Sequence, residues 1–262
     1  YLKASGELKS KPTQQSVKEL QSMGLRPDIL VCRSERPIPE ELKAKIALFC
    51  NVPKEHVLQN IDVEYLYEAP LAMEKEHLAG VVCESLKLPC PKPDLTDWKT
   101  MVHNLRNPKY RTEIAIVGKY IQLHDAYLSV AEALKHGGIA AGTDVKLRWI
   151  DSEELTAENV SEQLRGVHGI LVPGGFGTRG TEGKITAIQC AREQRIPFLG
   201  ICLGMQMAIV EYARHVLGYP DANSIELNPN TQHPVITLMP DQDSEADLGG
   251  TLRLGAYPCV LE

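Results

Sequence analysis

Nine residues restrict what this chain can fold into. Phe198-Leu199-Gly200-Ile201-Cys202-Leu203-Gly204-Met205-Gln206 passes from an apolar strand-like segment into a long apolar helix-like one. A cysteine stands at the joint, with a glycine two positions before it and another two after it. A strand that turns at once into a helix needs small neighbours, so that the backbone folds sharply and presents the middle side chain. This G-x-nucleophile-x-G elbow implies an α/β fold with a buried parallel strand leading into the turn. It also prepares the cysteine for chemistry. A helix N-terminus favours the thiolate, the reactive form, and the Leu203 N–H faces the place where an oxyanion would develop. A merely structural cysteine would not require both glycines.

The rest of the chain agrees with an α/β architecture. Helical spacing covers Thr13 to Met23, Pro39 to Cys50 and Leu71 to Leu86, and strand-like runs cover Asp28 to Cys32 and His56 to Val63. The proline-rich Leu88-Pro89-Cys90-Pro91-Lys92-Pro93-Asp94 cannot continue a helix and reads as the start of a linker, followed by a helical piece from Trp98 to Leu105. Strands are then expected at Glu113 to Gly118, Val145 to Ile150, Gly169 to Val172 and Pro197 to Ile201. Helices are expected at Asp125 to His136 (stopped by Gly137-Gly138), Ala157 to Gly166, Thr181 to Arg195 and Leu203 to Leu217. Strands and helices alternating at this spacing imply a parallel sheet covered on both faces.

At 262 residues the chain suits one large domain or two modest ones, and 43% hydrophobic with 24% charged residues excludes a disordered protein. A net charge of −6 argues against nucleic acid as the main partner. No apolar run approaches the roughly 18–20 residues of a membrane span, and no signal-peptide pattern is present. Cys32, Cys50, Cys83, Cys90, Cys190, Cys202 and Cys259 are scattered without a C-x-x-C pair, as expected of a cytoplasmic protein without disulfides or structural zinc.

Three further constellations bear on function. Leu171-Val172-Pro173-Gly174-Gly175-Phe176-Gly177 ends a strand in glycines whose N–H groups can approach a substrate, so Gly174 and its neighbours complete an oxyanion hole if the strand neighbours that of Cys202. Gly175-Phe176-Gly177-Thr178-Arg179-Gly180 matches a dinucleotide-binding turn, but the following strand ends at Cys202 where that fold needs a ribose-binding acid. Gly183-Lys184 is followed by Ile185 and lacks the leading glycine of a P-loop. Gly6-Glu7-Leu8-Lys9-Ser10-Lys11-Pro12-Thr13-Gln14 places lysines and hydroxyls just before a helix, which suits a phosphate or a solvated loop. No histidine is a credible base for Cys202. His136, His168 and His215 sit at element ends, and His233-Pro234 carries Val235 where an acid would stand.

Taken together these residues resemble a known family. The elbow and Pro173-Gly174-Gly175-Phe176-Gly177 resemble the class I glutamine amidotransferases. Lys9-Ser10-Lys11-Pro12-Thr13-Gln14, Ala44 to Cys50, Val117-Gly118-Lys119-Tyr120 and Leu248 to Gly255 look like the CTP synthase family, in order along the chain. The resemblance implies ammonia release from L-glutamine through a thioester on Cys202, and MgATP-dependent amination of UTP to CTP. It implies that Gly175, Leu203, Gly204, Met205, Gln206 and Glu226 line the glutamine pocket. It likewise implies that Lys9, Ser10, Lys11, Pro12, Thr13, Gln14 and Lys45 contact UTP or CTP, and that Ile61, Asp62 and Val63 flank ATP. CTP as product and inhibitor, GTP as allosteric activator and a homotetramer also follow from the resemblance.

The expected organisation is therefore the C-terminal portion of a synthetase domain at 1–89, a linker at 90–112, and a doubly wound amidotransferase domain at 113–262. The P-loop and magnesium ligands of the family are expected before Tyr1, its His-x-Glu after Glu262, and no metal ligands within this chain. The chain thus reads as an internal piece of a longer protein. Two other readings stand beside it: a non-catalytic UTP/CTP-binding or assembly module, and a stand-alone cysteine glutaminase.

Overall fold

The alternation of strands and helices is realised in two units, Tyr1–Arg106 and Asn107–Glu262. The structure is a computed structural model that describes residues 1, 6–121 and 123–238. Leu248 to Gly255 and Cys259, singled out above, lie outside the described residues.

The first unit contains α1 (Lys11–Ser22), β1 (Leu30–Ser34), α2 (Glu40–Cys50), β2 (Val57–Ile61), α3 (Ala69–Lys75), α4 (Leu78–Ser85) and α5 (Thr96–Arg106). β1 and β2 pair in parallel, Leu30 opposite Val57 and Ser34 opposite Ile61. Val17, Cys32, Ile46, Ala47, Cys50 and Val57 form the core between this pair and helices α1 and α2. α2 begins after the extended Pro39 and carries Glu40 and Glu41 in its first turn, where acids favour the positive helix end. It stops at Asn51, a residue type that tolerates the left-handed conformation found there (φ 55°). The single helix expected over 71–86 is instead two, because His77 takes φ 64° and interrupts the hydrogen-bond ladder between α3 and α4. α5 lies in the stretch expected as a linker; Trp98 Nε1 donates to the Tyr67 carbonyl at 2.7 Å, and the unit ends with this helix.

The second unit contains β3 (Tyr110–Gly118), α6 (Leu128–Ala140), β4 (Thr143–Asp151), α7 (Val160–Gln163), β5 (Gly169–Val172), α8 (Thr181–Gln194), β6 (Phe198–Gly200), α9 (Leu203–His215) and the short β7 (Asn223–Ser224) and β8 (Pro234–Ile236). The main sheet has the order β4-β3-β5-β6 and is parallel throughout, so the expected α/β class holds. β5 is buried at every position, as its unbroken Gly-Ile-Leu-Val run requires of a central parallel strand. Ala115, Val117, Ile170, Val172, Ile185, Ile188, Leu203, Met207 and Val210 pack strands and helices into one core.

Two expectations are corrected here. Gly137-Gly138 does not end α6, which runs on to Ala140 and stops before Gly142 (φ 61°). Gly138 serves packing instead: a Cβ there would stand 2.4 Å from Val145 Cγ2 and 2.7 Å from the Thr143 carbonyl. The helix expected over 157–166 shrinks to the single turn of α7. Asn159 Oδ1 accepts from the Thr156 N–H while its Nδ2 donates to the Glu154 carbonyl, holding the preceding residues in a turn.

Candidate active site

The elbow is built by close backbone approaches. The Ile201 N–H donates to the Val172 carbonyl at 3.0 Å, extending the β5–β6 pairing past Gly200, and the chain then reverses into α9. At the joint Cys202 has φ 52° and ψ −109°, an unfavourable conformation for a side-chain-bearing residue that costs roughly 1–3 kcal/mol. Both flanking glycines are needed, each for its own reason. A Cβ on Gly200 would lie 2.6 Å from the Gly204 carbonyl oxygen and the Met205 nitrogen; one on Gly204 would lie 2.0 Å from the Val172 oxygen. The Cys202 carbonyl accepts from Gln206 N–H at 3.1 Å, so α9 winds directly from the cysteine. Leu203 is buried and anchors the turn, while Cys202 itself is exposed.

β5 pairs with β6, so the Pro173-Gly174-Gly175 turn leaves the sheet beside the elbow. A Cβ on Gly174 would stand 3.3 Å from Cys202 Cβ and 3.9 Å from its Sγ. One on Gly175 would meet Leu203 Cδ2, Lys119 Cε and Lys184 Nζ, each at 3.8 Å. Lys119, at the end of β3, donates through Nζ to the Phe176 carbonyl and ties this turn to the neighbouring strand. Cys202, Gly174, Gly175 and Leu203, read separately from the sequence, are thus brought together. In the first turn of α9 the Gly204 N–H donates to the Ile201 carbonyl at 2.9 Å, whereas the Leu203 N–H has no acceptor within the helix and is available to an anion.

Met205 is exposed and Gln206 half-buried on that first turn. Glu226 is exposed in the turn after β7, its N–H donating to Ser224 Oγ at 3.3 Å. His215 Nδ1 contacts the Glu211 carbonyl at 3.2 Å. His233 Nδ1 meets Asp221 Oδ1 at 2.5 Å while its ring stacks on Tyr219. The His233 hydrogen bond and the Gln232 N–H hold the Asp221 carboxyl below its ordinary range. Burial pushes the thiols of Cys32, Cys50 and Cys190 up.

Gly180 and Gly183 also prove to be packing glycines. A Cβ on either would strike Ser152, at 2.3 Å from its Oγ and 1.8 Å from its carbonyl oxygen respectively. This contact draws α8 against the end of β4 and delivers Lys184, fully buried, to the Gly175 turn. Sequence reasoning met Lys184 only as a failed P-loop lysine. The available signal was a lysine at a position where the helical spacing of α8 calls for an apolar residue.

In the first unit, Lys9 pairs with Glu7, and Ser10 is buried with its Oγ accepting from Gln14 Nε2 at 3.0 Å instead of capping α1. Pro12 and Thr13 line a hollow of about 390 Å³ with Arg33. Lys45 lines a different cavity of about 510 Å³ with Arg36, Glu7 and Glu41; Lys9 and Lys11 do not line it. Ile61 ends β2, and the next residue, Asp62, pairs with Arg33 at 3.1 Å and donates its N–H to the Ser34 carbonyl; Val63 follows. Among the described residues no three His, Cys, Asp or Glu side chains gather as a metal site would require.

Comparison with known proteins adds to this geometry. Residues 1–88 match the family model for the CTP synthase N-terminus, and residues 122–261 match that for glutamine amidotransferase class-I. CTP synthases of Halalkalibacterium halodurans and Clostridium perfringens are each 58% identical, and that of Geobacillus kaustophilus 55%, over all of this chain and 49% of theirs. The chain thus spans about half the length of the curated relatives it matches. Among solved structures, the glutaminase domain of Trypanosoma brucei CTPS with bound acivicin is 43% identical with a TM-score of 0.49, covering 51% of this chain and 52% of that one.

Proposed function

The chain belongs to the class I glutamine amidotransferase family and is similar along its whole length to CTP synthases, and on that premise we propose that it supplies glutamine-derived ammonia for the ATP-dependent amination of UTP to CTP. The observation that carries the reading is Cys202, held exposed at φ 52° against Gly174, at the N-terminus of α9.

In this reading the Cys202 thiolate attacks the side-chain amide carbon of glutamine. The carbonyl oxygen takes up the negative charge within reach of the Leu203 N–H and the Gly174–Gly175 amides. Carbon–nitrogen cleavage releases ammonia and leaves a γ-glutamyl thioester, which water hydrolyses to glutamate and free thiol. The proton that the departing amine takes up comes from a general base and acid, which the family resemblance assigns to a His-x-Glu after residue 262. Met205, Gln206 and Glu226 are proposed for glutamine binding.

For the synthetase half, Lys9, Ser10, Lys11, Pro12, Thr13, Gln14 and Lys45 are proposed to contact UTP or CTP. The Ser10 hydroxyl, bonded to the Gln14 side chain rather than to a backbone N–H, leaves the Lys11 and Thr13 amides of α1 open to phosphate. Ile61, Asp62 and Val63 lie at the C-terminal end of a parallel strand, where ligands of α/β sheets bind. Asp62 is the only acid of that segment and is engaged by Arg33 at 3.1 Å. Activation by GTP, inhibition by CTP, a homotetramer and a cytoplasmic location belong to the same proposal. Among the described residues no helix is long and apolar enough to cross a membrane.

The test is a UTP-to-CTP assay on the complete reading frame containing this chain. Cys202→Ala is expected to abolish synthesis from glutamine and to retain synthesis from free ammonia. Loss of both would make Cys202 structural and defeat the reading.

A further inference from the structure

Lys184 is placed against every ordinary preference of a lysine. Its side chain is fully buried, and its Nζ has no hydrogen-bond partner among the described residues. It stands on the first turn of α8, where the helix end is already positive, and Lys119 adds a second cation nearby. A buried, unpaired ammonium is costly unless an opposite charge faces it. Burial first, and then Lys119, pull its pKa down to about 8; among its neighbours Cys202 alone pulls it up.

The geometry shows what the amine faces. Nζ lies 3.8 Å from the Cβ position of Gly175, and Cys202 Sγ lies 3.9 Å from that of Gly174. Amine and sulfur therefore stand against consecutive glycines of one turn. Other charges around them are engaged: Lys119 with the Phe176 carbonyl, Glu153 with Arg179, and Glu182 with Arg214. We propose that Lys184 is a positioning residue whose buried ammonium, lodged behind the Gly174–Gly175 turn, holds the Cys202 sulfur in its thiolate form. The thiol proton passes to solvent or to a base, and Lys184 keeps all three of its own. The inference rests on the nucleophile reading of Cys202 and deepens it by naming the counter-charge.

The experiment follows iodoacetamide alkylation of the full chain by mass spectrometry of the tryptic peptide 196–214, which contains Cys202 and no other cysteine. Lys184→Met and Lys184→Gln, each checked for folding by circular dichroism, are compared with the unsubstituted protein. An opposite charge within about 4–6 Å changes an acid's ionisation equilibrium by about ten-fold or more. Alkylation of Cys202 at pH 7 should therefore slow roughly ten-fold in both variants. The gap should close well above pH 8, where the amine has lost its charge. Equal rates at pH 7 overturn the proposal.

A reciprocal measurement needs no variant. Capping the sulfur should lower the titration midpoint of the Lys184 amine, followed by its Nζ resonance, because the coupling acts in both directions. An unchanged midpoint also overturns the proposal. If Cys202 of the unsubstituted protein reacts no faster than the exposed Cys90, the nucleophile reading itself fails, which is a different result from equal rates among fast-reacting proteins.

Discussion

Replacing Lys184 by methionine should make the second unit more stable, an unusual expectation for a fully buried side chain. The amine loses its proton at about 8 in the folded chain against an ordinary 10.5. At about 1.36 kcal/mol per pH unit, keeping it charged in the fold costs roughly 3 kcal/mol at pH 7. Methionine fills similar space without a charge and removes that cost. The sign with pH follows by linkage. Between about 8 and 10.5 the unfolded chain binds more protons than the folded one, so the stability of the unsubstituted protein rises across that window. The methionine variant has no such rise. Its advantage of about 3 kcal/mol at pH 7 should shrink through the window and fall below about 0.5 kcal/mol at pH 10.5. The assay is urea unfolding in a Trp98→Phe background, where Trp149 of β4 is the one remaining tryptophan and reports on the second unit. A less stable variant at pH 7, or an advantage that does not change with pH, would refute the reasoning.

Three other outcomes are expected. Cys202→Gly should be more stable than Cys202→Ala by about 1 kcal/mol, since glycine relieves the positive φ but loses some backbone entropy; thermal unfolding ranks the pair, and a more stable alanine variant would contradict the strain. Gly204→Ala forces a Cβ onto the Val172 carbonyl and should cost more than about 3 kcal/mol, whereas Gly174→Ala meets Cys202 at 3.3 Å and should mainly slow alkylation there; urea titration and the peptide assay separate the two. Arg192 binds the buried Glu211 carboxylate through Nη2 at 2.8 Å and Nε at 3.1 Å, so Arg192→Met, which leaves that carboxylate only His215 Nδ1 at 3.2 Å, should lose about 3 kcal/mol and Arg192→Met/Glu211→Met should regain most of it; a double variant no better than the single one counts against a buried charge left short of partners.

Much of the molecule was legible because its signals are local. The apolar run of β5 and the glycine spacing around Cys202 each act within a few residues of backbone, so pattern and structure agree. The failures have one kind of cause. Gly137-Gly138 reads as a helix stop, yet Gly138 is small because β4 crosses it through Val145. The dinucleotide-like glycines at 175–180 likewise include Gly180, whose missing Cβ makes room for Ser152. The break at His77 carries no glycine or proline and leaves no mark in the sequence.

The sequence by itself therefore determined the α/β class, the strand-to-helix elbow with Cys202 at its joint and the glycine turn that accompanies it, since these follow from side-chain size and periodicity along the chain. Only the tertiary structure decided what surrounds the sulfur. The β5–β6 pairing sets Gly174 against Cys202, and the contact of Gly180 and Gly183 with Ser152 brings Lys184 inside. Whether a lysine is solvated or buried depends on which strand its helix is pressed against, and that is a property of packing between segments distant in sequence.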